Sequence, residues 1–394
     1  MANTRVTNPV TDFDKSTSLP GLKLPSGTNA NQPSGVQGMI RNDTGETTGS
    51  SASAIEHHNG TTWKYFAATE SADPIIPENP YNNVLYTGNG GTKAVTGLGF
   101  QPDFVWSKSI STSGTNHILS NVITGTGSNL YSNSTLSSGT RGVTSFDTDG
   151  FTYSYPAEGG DANYNGQSYV AWCWKAGGAA VSNTDGDVES QVSANAAGGF
   201  RIVKGTGSSS SVQSVGHGLS SAPEFVIVKN INLTDNWFCL VPGLTSTNYY
   251  MRLNTTDAEV NNGTPTIFAD STTVSVRQNS MGPWGDLIAY CFASVPGYSK
   301  VGSFVGTGAA GLKIDLDFEP AYILTKRVSS SGASWSIIDN KRSTGSNKNN
   351  YLQANSNAAE ATSSSGITFN TDGFTFNGSS FNTNGATHMY YAIA

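Results

Sequence analysis

The chain repeats itself three times, and that limits its possible folds more than any other feature. Phe100-Gln101-Pro102-Asp103-Phe104-Val105-Trp106-Ser107-Lys108 returns as Ser221-Ala222-Pro223-Glu224-Phe225-Val226-Ile227-Val228-Lys229, and again as Phe318-Glu319-Pro320-Ala321-Tyr322-Ile323-Leu324-Thr325-Lys326. Each copy reads as a turn carrying proline, a mostly apolar strand and a lysine. The flanks recur in the same order. Upstream lie Thr87-Gly88-Asn89-Gly90, Gly205-Thr206-Gly207 and Gly306-Thr307-Gly308. Downstream, His117-Ile118-Leu119 matches Trp237-Phe238-Cys239 and Trp335-Ser336-Ile337. Next come Leu130-Tyr131-Ser132-Asn133, Met251-Arg252-Leu253-Asn254 and Leu352-Gln353-Ala354-Asn355. Each copy closes on an apolar run, at 169–174, 287–292 and 389–394.

Successive repeat prolines lie roughly 120 and 100 residues apart, the length of a β-sandwich domain. Alternating strand patterns recur along the chain, and no long stretch carries helical i, i+3, i+4, i+7 spacing. Only 12% of the 394 residues are charged, against about a quarter in ordinary domains. Ser, Thr, Asn and 45 glycines must therefore supply the polar surface, and these residues favour turns over helix interiors. The expectation is an all-β chain of three tandem β-sandwich-like modules. They span 82–178, 184–297 and 298–394, with a Gly- and Ala-rich joint at 177–183. The closing runs are apolar on both faces, which predicts central strands covered by an opposing sheet. Cys173 and Cys291 share one repeat position, filled in the third copy by Ile393 or, one residue shifted, Ala392. That reads as packing rather than metal or redox chemistry.

Residues 1–81 have another character. Leu22, Leu24, Ile40 and Trp63 are scattered apolar anchors in a polar stretch too thin to build a core alone. Asn59-Gly60 between two short strands is a hairpin signal, and three prolines between Ala72 and Pro80 suggest a stiff linker. The segment reads as an extended β-hairpin region for docking and association.

The same residues carry a resemblance. Leu24-Pro25-Ser26-Gly27-Thr28, Gly38-Met39-Ile40-Arg41 and Glu56-His57-His58-Asn59-Gly60-Thr61-Thr62-Trp63 resemble a motif near the N-termini of tail-fibre and other appendage proteins of tailed bacteriophages. Phe100 to Lys108 and Tyr169-Val170-Ala171-Trp172-Cys173-Trp174-Lys175-Ala176-Gly177-Gly178 resemble a repeat of virion proteins from marine and cyanobacterial phages. The likeness implies a location in the particle and brings no catalytic residues with it. It leaves open tail fibre, neck or head fibre, and capsid decoration.

Sequence chemistry beyond that is sparse. There is no Gly-x-Ser-x-Gly elbow and no phosphate loop. The adjacent pair His57-His58 would point to opposite faces of a strand and chelate poorly. Asp147-Thr148-Asp149-Gly150 begins like a calcium loop, with Glu158 at the twelfth position. Phe151 and Thr152 break its middle, and Asn370-Thr371-Asp372-Gly373 at the equivalent place favours a turn into a strand. No catalytic residue, metal or cofactor is expected. A net charge of −7 argues against nucleic acid as a partner, and no run suggests membrane insertion. The start of the chain lacks a signal-peptide core, so synthesis in the host cytoplasm is expected. Variable loops on a β scaffold often bind ligands. The loops before the closing runs offer Tyr153, Tyr155, Tyr164, Trp284, Phe376 and Phe381 for a host-surface glycan or receptor, set against a reading in which they only cap each sandwich.

The expectation is therefore a non-enzymatic phage virion protein. It is read as a tail, neck or head fibre or appendage that associates as a homotrimer, docks on other virion proteins through residues 1–81, and projects its modules for adhesion. Alternatives are a capsid decoration protein bracing the shell and a polysaccharide depolymerase.

Overall fold

A computed structural model describes residues 80–154, 161–195, 198–207, 212–277 and 285–394, together with the backbone of short strands between Phe13 and Tyr65. The chain forms two compact units, Met1–Asp73 and Pro74–Ala394.

In the first unit, Phe13–Asp14 pairs antiparallel with Gly21–Leu22. Four more strands, Ser26–Gly27, Ile40–Asp43, Ala54–His58 and Trp63–Tyr65, form one sheet in that order. The strands flanking Asn59-Gly60 pair antiparallel, with His58 opposite Trp63, as the hairpin signal requires. Leu22, Ile40 and Trp63 thus lie on strands, while Leu24 is outside the described residues.

The second unit is all-β, and its three repeat-bearing segments build the same sheet. In each, the closing run is a central strand between the opening strand and the proline strand, and a fourth strand flanks the proline strand. In the first segment the order is Ile118–Asn121, Phe104–Ser109, Ser168–Trp174, Tyr81–Thr87. The second contains Phe238–Leu240, Phe225–Asn230, Asp286–Phe292, Phe200–Thr206, and the third Ser336–Asp339, Tyr322–Arg327, Thr387–Ile393, Ser299–Val305. A smaller set of strands covers one face of each: Thr92–Thr96, Gly150–Ser154 and Ser145–Asp147 in the first segment, Val212–Gly216, Thr273–Arg277 and Ile267–Ala269 in the second, and Lys313–Asp315, Gly373–Phe376 and Ala361–Asn370 in the third. Strand pairing also fixes the repeat register. Trp174, Phe292 and Ile393 lie opposite Phe104, Phe225 and Tyr322, so Cys173 and Cys291 correspond to Ala392.

Side-chain alternation sends successive residues of a central strand to opposite faces, and here both faces are buried. Val105, Ala171 and Cys173 face the sandwich of their own segment, as do Val226, Ala289 and Cys291 and Ile323, Tyr390 and Ala392. Their neighbours Phe104, Trp106, Trp172, Trp174, Phe225, Ile227, Tyr290, Phe292, Tyr322, Leu324, Tyr391 and Ile393 all enter one core common to the three segments. The covering sheet anticipated from sequence therefore accounts for one face, and the other two segments cover the second. The three segments are not strung out as separate modules.

The shared core is cyclic. Phe104 packs on Tyr290 at 4.5 Å between ring centroids, Phe225 on Tyr391 at 6.3 Å, and Tyr322 on Trp172 at 6.0 Å. Each contact joins a proline strand to the closing strand of the next segment, and the third returns to the first. Main-chain bonds obey the same rule. Ser138 N–H donates to Ile231 C=O, Glu259 to Val328 and Glu360 to Ile110, at 2.8, 2.9 and 3.0 Å. In the reverse sense, Asp235 N–H donates to Thr135 C=O, Gly332 to Thr256 and Gly114 to Asn357. A head-to-tail contact repeated until its rotation closes makes a ring, and one chain here supplies all three positions.

The joint expected at 177–183 is held at its start. One carboxylate oxygen of Asp103 accepts the N–H groups of Ala176, Gly177 and Gly178 at 2.7, 2.8 and 3.0 Å. Its end, Val181–Asn183, is a strand paired with Ser190–Asn195 on the second segment's sheet.

Candidate binding pocket

Position by position, the repeat shows which polar residues serve architecture. The ring nitrogens at the start of the fourth strand all cross to a neighbouring segment. Trp237 Nε1–H donates to Tyr131 C=O and Trp335 Nε1–H to Arg252 C=O, both at 2.9 Å. His117 holds the equivalent place: its Nδ1 accepts from Trp106 Nε1–H, so Nε2–H donates to Gln353 C=O at 3.0 Å. Tyr131, Arg252 and Gln353 are themselves equivalent. The repeat lysines Lys108, Lys229 and Lys326 are buried, and burial pulls each ammonium down to about 8. Lys229 donates to the carbonyls of Thr135, Leu233 and Asp235, and Lys326 to those of Thr256 and Ala333.

Other polar motifs are also consumed by structure. Asp149 accepts from Gly97 and Gly99 N–H at 3.0 and 2.6 Å, which holds its carboxyl below the usual range. Asp147 accepts from the Ser145 and Thr152 hydroxyls. A Cβ at Gly150 or Gly373 would overlap the carbonyl oxygen of Val95 or Ile314, so the repeated Asp-Gly is a turn that brings two strands together. His217 bonds Leu219 N–H and Asp270 C=O. The three cysteines are buried and unpaired, with thiols pushed up by burial, which makes them poor nucleophiles. Among the described residues no group of three His, Cys, Asp or Glu could hold a metal ion.

The six loop aromatics separate. Tyr153 lies on a strand, fully buried, and shares a 3.0 Å hydrogen bond with the Ser107 hydroxyl. Phe376 is fully buried against Phe304 at 4.9 Å. Neither can stack on a ligand, which corrects their reading as binding-loop residues: alternation turned them into their own sandwich cores. Tyr164 is half-buried on the loop packed against Gly88, its N–H bonded to the Tyr169 hydroxyl. Tyr155 and Trp284 lie outside the described residues.

Phe381 differs. It is half-buried and holds φ at +60°, a left-handed conformation that costs a non-glycine residue on the order of 1–3 kcal/mol. Its ring meets Tyr351 edge to face at 5.2 Å. The two rings line a cavity of about 190 Å³ with Arg327, Lys326, Gln353 and His388. Ser334, Ser336, Thr325 and Thr383 add hydroxyls, and no carboxylate lines it. Arg327 donates through Nε to Ser330 C=O and through Nη1 to the Thr383 hydroxyl, both at 3.2 Å, and through Nη2 to Ser331 C=O. Three of its five N–H groups are thereby bonded. His388 stacks on Phe304 at 5.1 Å and its Nε2 accepts from Thr383 N–H. Burial, helped by Arg327, holds its imidazole down at about 4, so the ring is neutral at pH 7.

The sequence reading found Phe381 but not its surroundings. Arg327 and His388 face each other across paired strands, and the same register holds Ser109 with Tyr169 and Asn230 with Leu287 in the other segments. The departure from the repeat was visible in sequence only once the register was known. A hollow of about 420 Å³ in the first segment is larger, but its single charged lining group, Asp103, is already bonded to three N–H groups.

The family described as Domain of unknown function (DUF7483) matches residues 77–394, and the chain belongs to that family. No curated protein and no solved structure matches it.

Proposed function

We propose that this family member is a non-enzymatic structural protein of a tailed-phage particle, an appendage that displays one closed β unit for attachment to the host surface. The observation that carries the proposal is the likeness of the 24–63 motifs and of the repeat motifs to phage appendage and virion proteins. The closed ring supports a display role, because a unit with one continuous core resists being pulled or sheared apart segment by segment. Enzyme chemistry finds little support among the described residues. Asp339 and Glu360, the carboxylates gathered on Arg342 at 2.6 and 2.9 Å, are spent neutralising a buried guanidinium.

Residues 1–81 are proposed as the docking and association region, with Leu22, Leu24, Ile40 and Trp63 as its apolar anchors and other virion proteins as its partners. The aromatic faces that the three segments of Pro74–Ala394 turn toward one another are buried in one core within the chain. Homotrimer formation is therefore proposed to rest on the N-terminal region alone. A labelled antibody or cryo-electron density on purified particles tests the assignment. Density at a fibre, neck or tail supports it. Many copies spread over the shell, with heads weakened by the chain's loss, would favour decoration, and release of sugar fragments from host polysaccharide would favour a depolymerase.

A further inference from the structure

We infer that the cavity of the third segment binds a single carboxylate-bearing sugar residue, of the uronic acid class. The inference deepens the adhesive part of the reading above and rests on it for its biological setting. It stands on three observations of the cavity itself.

The first is charge. Arg327 lines the cavity, and no carboxylate is among the residues that line it; Lys326 is already bonded to the Thr256 and Ala333 carbonyls. Arg327 keeps N–H groups beyond its three bonds to Ser330, Ser331 and Thr383, and a guanidinium matches the geometry of a carboxylate. The second is the aromatic wall. Phe381 and Tyr351 stand at 5.2 Å, edge to face, and present apolar surface suited to the C–H face of a pyranose. Phe381 is held there at φ +60° in a turn closed by Asn382 N–H on Ser379 C=O at 3.1 Å, the position where a type II turn needs positive φ. The third is departure from the repeat. The Arg327–His388 pair stands where the other segments use Ser109–Tyr169 and Asn230–Leu287, so the shared architecture does not need it. About 190 Å³ falls below the roughly 300–1,000 Å³ of clefts for drug-sized ligands, which limits the occupant to about one ring. Hydroxyls of Ser334, Ser336 and Thr383 suit a polyol better than a bare anion.

The test titrates the full chain with methyl glucuronide, methyl glucoside and inorganic phosphate by ligand-observed NMR. Glucuronide is expected to bind at least tenfold more tightly than either control. Arg327→Gln should lower glucuronide affinity at least tenfold, and Phe381→Ala should weaken sugar binding without creating phosphate binding. Phe381→Ala keeps the test decisive if the arginine variant unfolds, because it removes no buried hydrogen bond. Equal affinity for glucoside, equal affinity for phosphate, no saturation by glucuronide, or full affinity in a folded variant would each overturn the inference. A chain located on the particle appendage that ignores glucuronide removes the ligand assignment and leaves the appendage reading intact. Glucuronide binding by a chain absent from particles does the reverse.

Discussion

Burying a guanidinium is costly unless every charge around it is matched, and Arg342 marks where the third segment meets the first. Its side chain is 1% exposed and ion-paired with Asp339, itself fully buried. Asp339 also accepts from Trp172 Nε1–H of the first segment at 2.9 Å, and Arg342 lies 5.6 Å from the Trp172 ring centroid. Removing the carboxylate strands the guanidinium, so Asp339→Ala should cost about 3–5 kcal/mol, read as a lower urea midpoint. A loss under about 1 kcal/mol would show that solvent or Glu360 replaces the pairing. The buried imidazoles set a pH dependence. Burial lowers His117, His217 and His388, the last to about 4. Between about pH 6.5 and 4 the unfolded chain takes up protons that these folded rings refuse, so stability falls as pH falls through that window. His388→Leu, which copies Leu287 at the same register, should flatten the slope, and an unchanged slope would remove His388 from the account. The Trp172 contact was not legible in sequence, because Trp172 belongs to the first segment and Asp339 and Arg342 to the third.

Elements were far more legible than contacts. The proline strands, the closing runs, the hairpin at Asn59-Gly60 and the Asp-Gly turns all follow from period and turn chemistry. The Cys173, Cys291, Ala392 correspondence needed only the one-residue shift that strand pairing fixes. What could not be read was the destination of the second apolar face. Alternation states that two faces are buried and does not say by what. The crossing bonds left even less trace, since Tyr131, Arg252 and Gln353 take part through main-chain carbonyls that any residue supplies. The donors are more telling, because an indole N–H inside a core must find an acceptor. Trp335→Phe should therefore cost about 1–3 kcal/mol by leaving the Arg252 carbonyl without its donor. A change of only a few tenths in urea unfolding would mean that this crossing bond does not hold the segments together.

At the scale of the molecule, cyclic closure turns three sandwiches into one cooperative body. Taken alone, a segment would keep its local sandwich but expose the other face of its central strand. For the first segment that face includes Phe104, Trp106, Val170, Trp172 and Trp174, a contiguous aromatic patch of the kind that drives aggregation. Mutual dependence of the three segments for folding is therefore expected. Each of these side chains is worth about 1.5–3 kcal/mol when fully buried, about 7.5–15 kcal/mol for the five, so exposing the face of a single segment forfeits an amount comparable to the roughly 5–15 kcal/mol that typically stabilises a domain. Deleting 1–73 should leave a soluble, folded 74–394 that no longer joins particles. Its calorimetric trace should show one transition, with van't Hoff and calorimetric enthalpies in agreement. Deleting 298–394 from that fragment should abolish soluble folded protein rather than leave two modules standing. Three resolved transitions, or a well-folded two-segment fragment, would mean that the common core is too weak to couple the segments, and that the chain behaves as a string after all.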